Sequence, residues 1–190
     1  DSRIGHAYME PGLGFGGPCL EKDLQALTMV SEGNGYEPKL LRAVLERNAR
    51  QIEEVIAKLK HLTGYLLYRK IVAVFGLAFK AGTNDLRNSL AMKVVDRLEK
   101  EGAIVRAHDP MAIPEAKVLK PNIAYCEDPY ECVRHAEGLL ILTEWPCYSE
   151  LDYRKVRERM ASPHIVDSRN LLDPEALRAL DFTYVGMGIP

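Results

Sequence analysis

The sequence predicts an α/β fold in which a long central helix precedes a doubly wound, mainly parallel sheet. Two observations lead to this prediction. Over residues 38–61, apolar side chains recur at steps of three and four, which indicates a helix of about seven turns. From Lys70 onward, short apolar runs alternate with amphipathic segments, a pattern typical of a parallel sheet with helices on both faces.

A loop rich in glycine and proline opens the chain, and a first helix follows it. The loop ends in the letters GLGFGGPC, and such a cluster favours irregular structure. From Leu20 onward, apolar residues such as Leu24 and Leu27 recur at helical spacing until the glycines of SEGNGY end the helix.

The helix over 38–61 carries a long apolar stripe. Its members are Leu41, Val44, Leu45, Ile52, Val55, Ile56 and Leu59. Because the stripe exceeds what one short neighbouring helix covers, two interpretations stay open. The helix packs against a partner helix of a second subunit, or it is a core helix within one chain.

The alternation beyond residue 67 predicts a Rossmann-like domain over 67–190, preceded by a loop and helices over 1–66. The expected strands are KIVAVFGL, AIVRAHDP, LLILTEW, HIVDSRN and FTYVGMG. The expected helices are SLAMKVVDRLEKEG, DPYECVRHAEG, a segment through Lys155, and DPEALRAL. Ligands of such sheets bind beyond the carboxyl ends of the strands. We therefore expect the site at AFKAGTNDLRNS, DPMA, TEWPCY and DSRN.

Composition excludes several classes of function. The net charge of -2 argues against a nucleic-acid-binding protein, and no apolar run reaches the roughly 20 residues of a membrane span. The start, DSRIGHAYMEPG, shows no export signal, and the four cysteines form no CxxC pair, so we expect reduced thiols in a cytoplasmic protein. The five histidines show no metal-ligand spacing, so no metal site is predicted.

Three glycines of the first loop have the spacing of a dinucleotide fingerprint. Gly12, Gly14 and Gly17 read as G-x-G-x-x-G, but that motif must follow a strand and open a helix within a βαβ unit. AYMEP is not a buried strand, and no parallel strand with a terminal acid follows. The glycines instead indicate either a tight turn or a close approach of the backbone to a ligand.

Cys19 is the candidate nucleophile. It lies where the first helix begins, and there the unpaired N–H groups, the helix dipole and the charge of Lys22 favour a thiolate. Asp23 lies four residues further on the same helical face, within reach to move a proton or order a water. The alternative is an inert thiol, which is the interpretation kept for Cys126, Cys132 and Cys147.

A second candidate is the loop after the first sheet strand. GLAFKAGTNDLRNS combines Lys80 and Arg87 with small hydrogen-bonding residues, which suits an anionic phosphate ligand. Arg169 in DSRN is expected to point into the same crevice. The alternative is a solvated loop, and the absence of P-loop spacing argues against ATP hydrolysis.

Together these segments resemble the UDP-glucose/GDP-mannose dehydrogenase family, over essentially the whole chain. GFGGPCLEKD at 14–23 resembles the family's GFGGSCFPKD, and GLAFKAGTNDLRNS resembles GLAFKPNTDDxRxS. Later landmarks follow in the family's order: GA-x-V with DP, LTEW, VDSRN and YVGMGIP. Pro18 and Glu21 depart from the family's Ser and Pro.

The resemblance implies an oxidation of the C6 alcohol of a nucleotide-linked hexose, a UDP-hexose above all, to a carboxylate by NAD. Cys19 matches the residue that adds to the intermediate aldehyde to form a thiohemiacetal, which a second oxidation converts to a thioester. Asp23 matches the residue that assists the water releasing the uronate.

The resemblance also implies binding roles for further residues. Those that match the sugar-nucleotide loop are Arg3, Tyr8, Met9, Phe15, Gly16 and Gly17, with Arg3 expected to reach a ligand in the partner subunit. Those that match the uridine-diphosphate side are Phe79, Lys80 and Arg169. Lys22 and Arg87 match residues near the NAD phosphates.

The resemblance further implies a homodimer formed through the 38–61 helix. It places the family's dinucleotide-binding domain, which binds most of the NAD, before residue 1, so we expect the chain alone to be inactive. Two other functions stay open. One is a non-catalytic dimerisation or nucleotide-binding module, and the other is a cysteine hydrolase or transferase, for which no base near Cys19 is evident.

Overall fold

The structure, a computed structural model, describes residues 3, 5 and 12–189. Two helices come first, α1 (Leu20–Gly33) and α2 (Lys39–Thr63). The rest of the chain forms, in order, β1 (Ile71–Phe75), α3 (Leu90–Lys100), β2 (Ile104–His108), α4 (Ile113–Leu119), β3 (Ala124–Tyr125), α5 (Pro129–Cys132), β4 (Gly138–Ile141), α6 (Pro146–Ser149), α7 (Tyr153–Arg159), β5 (His164–Asp167), α8 (Pro174–Arg178) and β6 (Thr183–Gly186). The predicted α/β fold with its long central helix is confirmed.

The six strands form one parallel sheet in the order β3-β2-β1-β4-β5-β6. At its centre β1 pairs with both β2 and β4, so that Val74 lies opposite Ala107 on one side and Leu140 on the other. The chain order reverses at this point, and the connections leave β1 and β4 in opposite directions. A crevice opens beyond their carboxyl ends in such sheets.

Side chains of β1 alternate between two cores. Val72 and Val74 face the layer of α2 and α3, where Leu59 and Val95 are fully buried. Phe75 faces the opposite layer, which α5, α7 and α8 cover. Full burial of one such aliphatic side chain stabilises the fold by about 1.5–3 kcal/mol.

Three elements differ from the prediction. The strand β3 was not predicted, because an element of two residues carries no periodicity. The helix α4, of seven residues, was not predicted either. The single helix expected through Lys155 is two helices, α6 and α7, since the Asp152 carboxylate caps α7 by accepting from the Arg154 and Lys155 N–H groups. Cys147 therefore lies in α6 and not in a loop.

The two halves of α2 have different surroundings. Val55, Ile56 and Leu59 in its second half are buried against the sheet and α3, as the core-helix interpretation expects. In the first half, Leu40 is 75% exposed and Val44 is 38% exposed. The adjoining helix α1 also exposes Leu27, Met29 and Val30. Part of the apolar surface that the described chain leaves uncovered thus lies on α1 and the first half of α2, and another part lies at Val118 and Leu119 of α4.

Candidate functional site

The segment 12–18, called here the glycine loop, lies between α2 and the loops that follow β1 and β5. On the α2 side, the buried Asn48 amide accepts from the Phe15 N–H and donates to the Phe15 carbonyl, both at 2.9 Å. Gln51, one turn further, donates to the Gly12 carbonyl at 3.1 Å. The glycine loop is therefore attached to α2 by hydrogen bonds between its backbone and the amide side chains of Asn48 and Gln51.

Asn48 was missed by the sequence analysis, although a signal for it exists. It occupies the apolar stripe of α2, three residues after Leu45 and four before Ile52, and it is only 6% exposed. A buried polar side chain needs a hydrogen-bond partner. A polar residue within an otherwise apolar stripe therefore indicates a hydrogen-bond partner elsewhere in the chain.

On the sheet side, the glycine loop packs against Phe79. A Cβ atom at Gly17 would lie 2.8 Å from the Phe79 ring, and one at Gly16 would lie 2.6 Å from the Asn88 carbonyl oxygen. Gly17 also has a φ of 83°, a backbone conformation that favours glycine. The close approach that these glycines permit is to the loop after β1, and it brings three predicted substrate-binding residues together.

Asn88 ties the same loop to the start of α1. Its carbonyl accepts from the Gly17 N–H at 3.3 Å, and its side-chain amide donates to Glu21 at 2.5 Å. Glu21 also lies 3.6 Å from the ammonium of Lys93 on α3. The glutamate that stands in place of the family's proline thus fixes the helix that follows Cys19.

Cys19 is exposed at the residue that precedes α1. Its carbonyl accepts from the Asp23 N–H at 2.9 Å, which starts the helix. The Arg87 guanidinium lies within electrostatic reach of the Cys19 sulfur. The pKa of Arg87 is raised mainly by its hydrogen bonds to Asp85 and, to a smaller extent, by the sulfur charge. The thiol is therefore open to solvent and beside a cation.

The charged neighbours of Cys19 are paired with carboxylates. Lys22 lies 3.3 Å from Asp23, and both side chains are largely exposed. Arg87 binds the Asp85 carboxylate through Nε and Nη2, at 3.1 and 2.7 Å, and this lowers the pKa of that carboxyl. An open cavity of about 840 Å³ adjoins Arg87; it is lined by Thr83, Asn84, Asp85, Leu86, Arg87, Glu115, Val118 and Leu119.

Lys80 and Arg169 border the glycine loop from two directions. The Lys80 ammonium lies 5.6 Å from the centre of the Phe79 ring, and it has no carboxylate partner among the described residues. Arg169 pairs with Glu144 at 2.7 Å, and its guanidinium faces Gly12, where a Cβ atom would lie 3.1 Å from Nη1. Arg169 and Phe79 line one small void of about 10 Å³ with the glycine loop, and Lys80 and Arg87 are not part of its lining. The crevice expected to join Arg169 to these two cations stays a prediction.

The acids of DP and DSRN hold the ends of their strands. Asp109 accepts from the Leu77 and Ala78 N–H groups at 2.7 and 3.1 Å, and from the Trp145 indole at 3.2 Å. Asp167 accepts from the Arg169 N–H at 2.9 Å, while burial raises the pKa of its carboxyl. These carboxylates are occupied by the protein itself, and they position the loops that carry Phe79 and Arg169.

Of the remaining predicted site residues, Arg3 is exposed, and Tyr8 and Met9 lie outside the described residues. Within the described part of the chain, no group of three or more His, Cys, Asp or Glu side chains is arranged to hold a metal ion. Over the same residues, no helix has both the length and the apolar character that crossing a membrane requires.

Two models of known protein families match the chain. The UDP-glucose/GDP-mannose dehydrogenase family, UDP binding domain, matches residues 73–174, and the central domain of the same family matches residues 1–50. The first match includes most of β1 and all of β2, β3, β4 and β5, and it ends before β6. The second includes the glycine loop, Cys19 and the first half of α2.

Curated and solved proteins agree with these matches. The chain is 40% identical to UDP-glucose 6-dehydrogenase TuaD of Bacillus subtilis, over 100% of the chain and 41% of the relative. It is 39% identical to UDP-glucose 6-dehydrogenase of Pseudomonas aeruginosa, over 100% of the chain and 43% of the relative. A solved UDP-glucose dehydrogenase from Pyrobaculum islandicum superposes with a TM-score of 0.82 at 39% identity, covering 90% of this chain and 38% of that one. The chain thus spans about two fifths of the length of these relatives.

Proposed function

Because this chain belongs to the UDP-glucose/GDP-mannose dehydrogenase family, we propose that it is the cysteine-bearing and nucleotide-binding part of an NAD-dependent nucleotide-sugar 6-dehydrogenase. One observation carries the proposal. The exposed thiol of Cys19 directly follows the glycine loop, in which Gly17 packs against Phe79 and Gly12 lies against Arg169. A nucleophile and the edge of an α/β sheet are thereby joined in one unit.

The chemistry proposed for Cys19 is the one that the family resemblance implies, and the exposure of the thiol permits it. Its sulfur adds to the C6 aldehyde carbon of the half-oxidised sugar, and the carbonyl oxygen takes up a proton to give a thiohemiacetal. After the second oxidation the sulfur holds the carbon as a thioester. Water then attacks that carbon, the C–S bond breaks, and the uronate leaves while Cys19 recovers its thiol.

Asp23 is the residue that we propose to assist the water. It lies one turn after Cys19, and its carboxylate is 67% exposed while in contact with Lys22. An exposed ion pair contributes little stability and exchanges readily with solvent. Asp23 can therefore take the proton of an incoming water. Lys22, its ion-pair partner, stabilises the carboxylate when it is ionised.

The nucleotide end of the substrate is assigned to Phe79, Lys80 and Arg169. Among the described residues, the Lys80 ammonium has no carboxylate partner. It can therefore bind a diphosphate without breaking an ion pair. Arg169 keeps the carboxylate of Glu144 as partner, and this pair closes the side of the crevice next to Gly12. The substrate class that fits is a UDP-hexose.

The residues on the Cys19 side also fit an anionic dinucleotide. Arg87 is 73% exposed and shares its face of the molecule with Cys19, and Lys22 lies one turn away. These two cations would hold phosphates of NAD, most of which is bound by the part of the enzyme outside this chain. NAD, when bound, accepts the hydride in both oxidations.

A homodimer formed through the 38–61 helix is part of the proposal. The first half of α2 and the adjoining face of α1 expose Leu27, Met29, Val30 and Leu40. A stable subunit interface has an apolar centre, and contiguous exposed apolar side chains of this kind supply one. The four free thiols suit a reducing compartment, so we place the enzyme in the cytoplasm.

The binding half of the proposal is tested by titration calorimetry of the chain with UDP and UDP-glucose. Lys80→Gln should weaken binding about tenfold or more, since a charge-assisted hydrogen bond contributes about 1.5–3 kcal/mol. The matched control is Lys155→Gln, an exposed lysine on α7 that changes the net charge equally. Equal losses in both variants would contradict a phosphate contact at Lys80.

The catalytic half is tested in the complete enzyme with UDP-glucose and NAD. Cys19→Ala should abolish uronate formation, while titration shows that the nucleotide sugar still binds. Uronate formed at the normal rate by Cys19→Ala would overturn the role of the thiol. A complete protein that binds the nucleotide but forms no NADH with any nucleotide sugar would favour the non-catalytic module.

A further inference from the structure

Two neighbouring thiols, Cys126 and Cys132, lie far along the chain from Cys19, on the β2–β3 side of the sheet. Cys126 directly follows β3, and its N–H donates to the Ala107 carbonyl at 2.9 Å. Cys132 ends the short helix α5, and its sulfur lies 3.3 Å from the Arg106 carbonyl oxygen. Cys126 packs against the buried cluster to which Cys132 belongs, and each sulfur contacts Arg106, so both lie above β2.

Arg106 gives this pair its charge. Its Nη2 atom lies 3.6 Å from the Cys126 sulfur, and its Nη1 atom donates to the Arg134 carbonyl at 2.9 Å, which holds the guanidinium in place. Glu131 is the opposing charge that faces the pair. The neighbouring Cys132 thiol, followed by the contact with Arg106, holds the pKa of the Cys126 thiol well below its usual range.

The two thiols differ in exposure. Cys126 is partly exposed, whereas Cys132 is fully buried among the side chains that α5 and α7 pack against the sheet. Burial, before any other cause, raises the pKa of Cys132. A partly exposed thiolate next to a buried protonated thiol is the arrangement in which the first sulfur is oxidised and the second resolves it.

We propose that Cys126 is a peroxide-reactive modification site and that Cys132 is its resolving thiol. The site is separate from Cys19 and does not depend on the proposed dehydrogenase function. Its substrate class is a small hydroperoxide, with hydrogen peroxide as the simplest member. Arg106 is the positioning residue, because its guanidinium stabilises the attacking sulfur anion.

The two steps balance as follows in atoms and electrons. The Cys126 thiolate attacks one oxygen of hydrogen peroxide; an S–O bond forms, the O–O bond breaks, and hydroxide leaves. Cys126 is thereby oxidised to a sulfenic acid and the peroxide is reduced. The Cys132 sulfur then attacks the Cys126 sulfur; an S–S bond forms, the S–O bond breaks, and the hydroxyl group leaves with the Cys132 proton as water.

The test uses the chain treated with hydrogen peroxide at neutral pH and then digested with trypsin. Cys126 and Cys132 fall in one peptide, 118–134, because the Lys120–Pro121 bond resists cleavage. We expect this peptide to lose the mass of two hydrogen atoms before Cys147, in another peptide, reacts. Cys147 is an internal control, since it is exposed but burial raises the pKa of its thiol.

Three variants separate the roles. Cys132→Ser should stop the reaction at a sulfenic acid on Cys126 that dimedone traps, and Cys126→Ser should leave Cys132 unmodified. Arg106→Gln should slow the modification of Cys126 several-fold and move the midpoint of its alkylation towards the ~8.5 of an ordinary thiol. Oxidation of Cys126 no faster than that of Cys147, or alkylation with an ordinary midpoint in the unmodified chain, would overturn the proposal.

Discussion

Asn48 binds Phe15 through both polar atoms of its side chain: Oδ1 accepts from the Phe15 N–H and Nδ2 donates to the Phe15 carbonyl, each at 2.9 Å. The two residues are 33 positions apart. This pair joins the glycine loop to the central helix. It therefore fixes the position of the backbone that leads to Cys19.

Replacing Asn48 should release the glycine loop. Asn48→Leu keeps the apolar stripe of α2 but leaves two polar groups of Phe15 without partners, at a cost of about 1–3 kcal/mol. Hydrogen exchange of the Phe15 amide should accelerate, and the free energy of unfolding should fall. Arg47→Leu, at the neighbouring and largely exposed position, is the control. Unchanged exchange at Phe15 in Asn48→Leu would show that the pair does not hold the loop.

Gly17→Ala should destabilise the chain by two separable effects. The positive φ of 83° costs an alanine about 1–2 kcal/mol, and the new Cβ, 2.8 Å from the Phe79 ring, adds about 1–3 kcal/mol of overpacking. Gly35→Ala is a matched control, because Gly35 has a φ of 77° and open space at its Cβ. Urea denaturation should show the larger loss for Gly17→Ala, and equal losses would mean that Phe79 yields without strain.

Asp109→Asn should be strongly destabilising although it is nearly isosteric. Besides Leu77, Ala78 and Trp145, the carboxylate accepts from the Met111 and Ala112 N–H groups, and an amide nitrogen cannot accept from any of them. Loss of a hydrogen bond to a charged group costs about 1.5–3 kcal/mol. The measurement is the midpoint of urea denaturation. Asp173→Asn, at the exposed cap of α8, should shift that midpoint much less.

His108 should make the chain less stable in mild acid. The Tyr148 hydroxyl donates to the His108 carbonyl, so its oxygen accepts from Nδ1–H of a neutral ring, and burial lowers the pKa of that ring. Between this lowered value and the usual ~6.5, the unfolded chain binds a proton that the folded chain does not. The free energy of unfolding therefore falls as the pH drops through about 6.5.

Denaturation curves recorded across that range test the sign. Burial also lowers the pKa of His164, so this residue contributes in the same direction. His108→Gln should reduce the slope of stability against pH, and His108→Gln combined with His164→Gln should reduce it further. A slope that is unchanged in the double variant would contradict the assignment of either histidine.

The sequence analysis was most successful where periodicity is long. The second half of the α2 stripe and the apolar runs of β1 and β4 predict both the elements and their burial, because each covers at least one full repeat on a packed face. The strand β3 and the break at Asp152 escape this reasoning, since two residues show no period and a cap acts against the apparent helix.

The site was predicted less completely, and the reason is physical. Motifs indicate which residue types are present, and the structure brings Phe79 and Arg169 to the glycine loop that precedes Cys19; the roles of all three stay predictions. Which polar groups the protein itself occupies depends on contacts between distant segments. Asn48 and Asp109 bind backbone groups 31 to 33 positions away, and Asp109 also binds the Trp145 indole. The polar Asn48 in an apolar stripe indicates that a partner exists, but no local pattern indicates which residue it is.

The uneven covering of α2 has a mechanical consequence. Its outer side, at Leu40 and Val44, faces whatever neighbour associates with this chain, and its inner side, one turn later, holds Phe15. A displacement of α2 caused by association would thus reach the glycine loop. Val44 and Asn48 are four residues apart, which is about 6 Å along the helix axis. In the homodimer proposed above, association of two copies would therefore also position Cys19, and we expect a protomer alone to hold that residue less firmly.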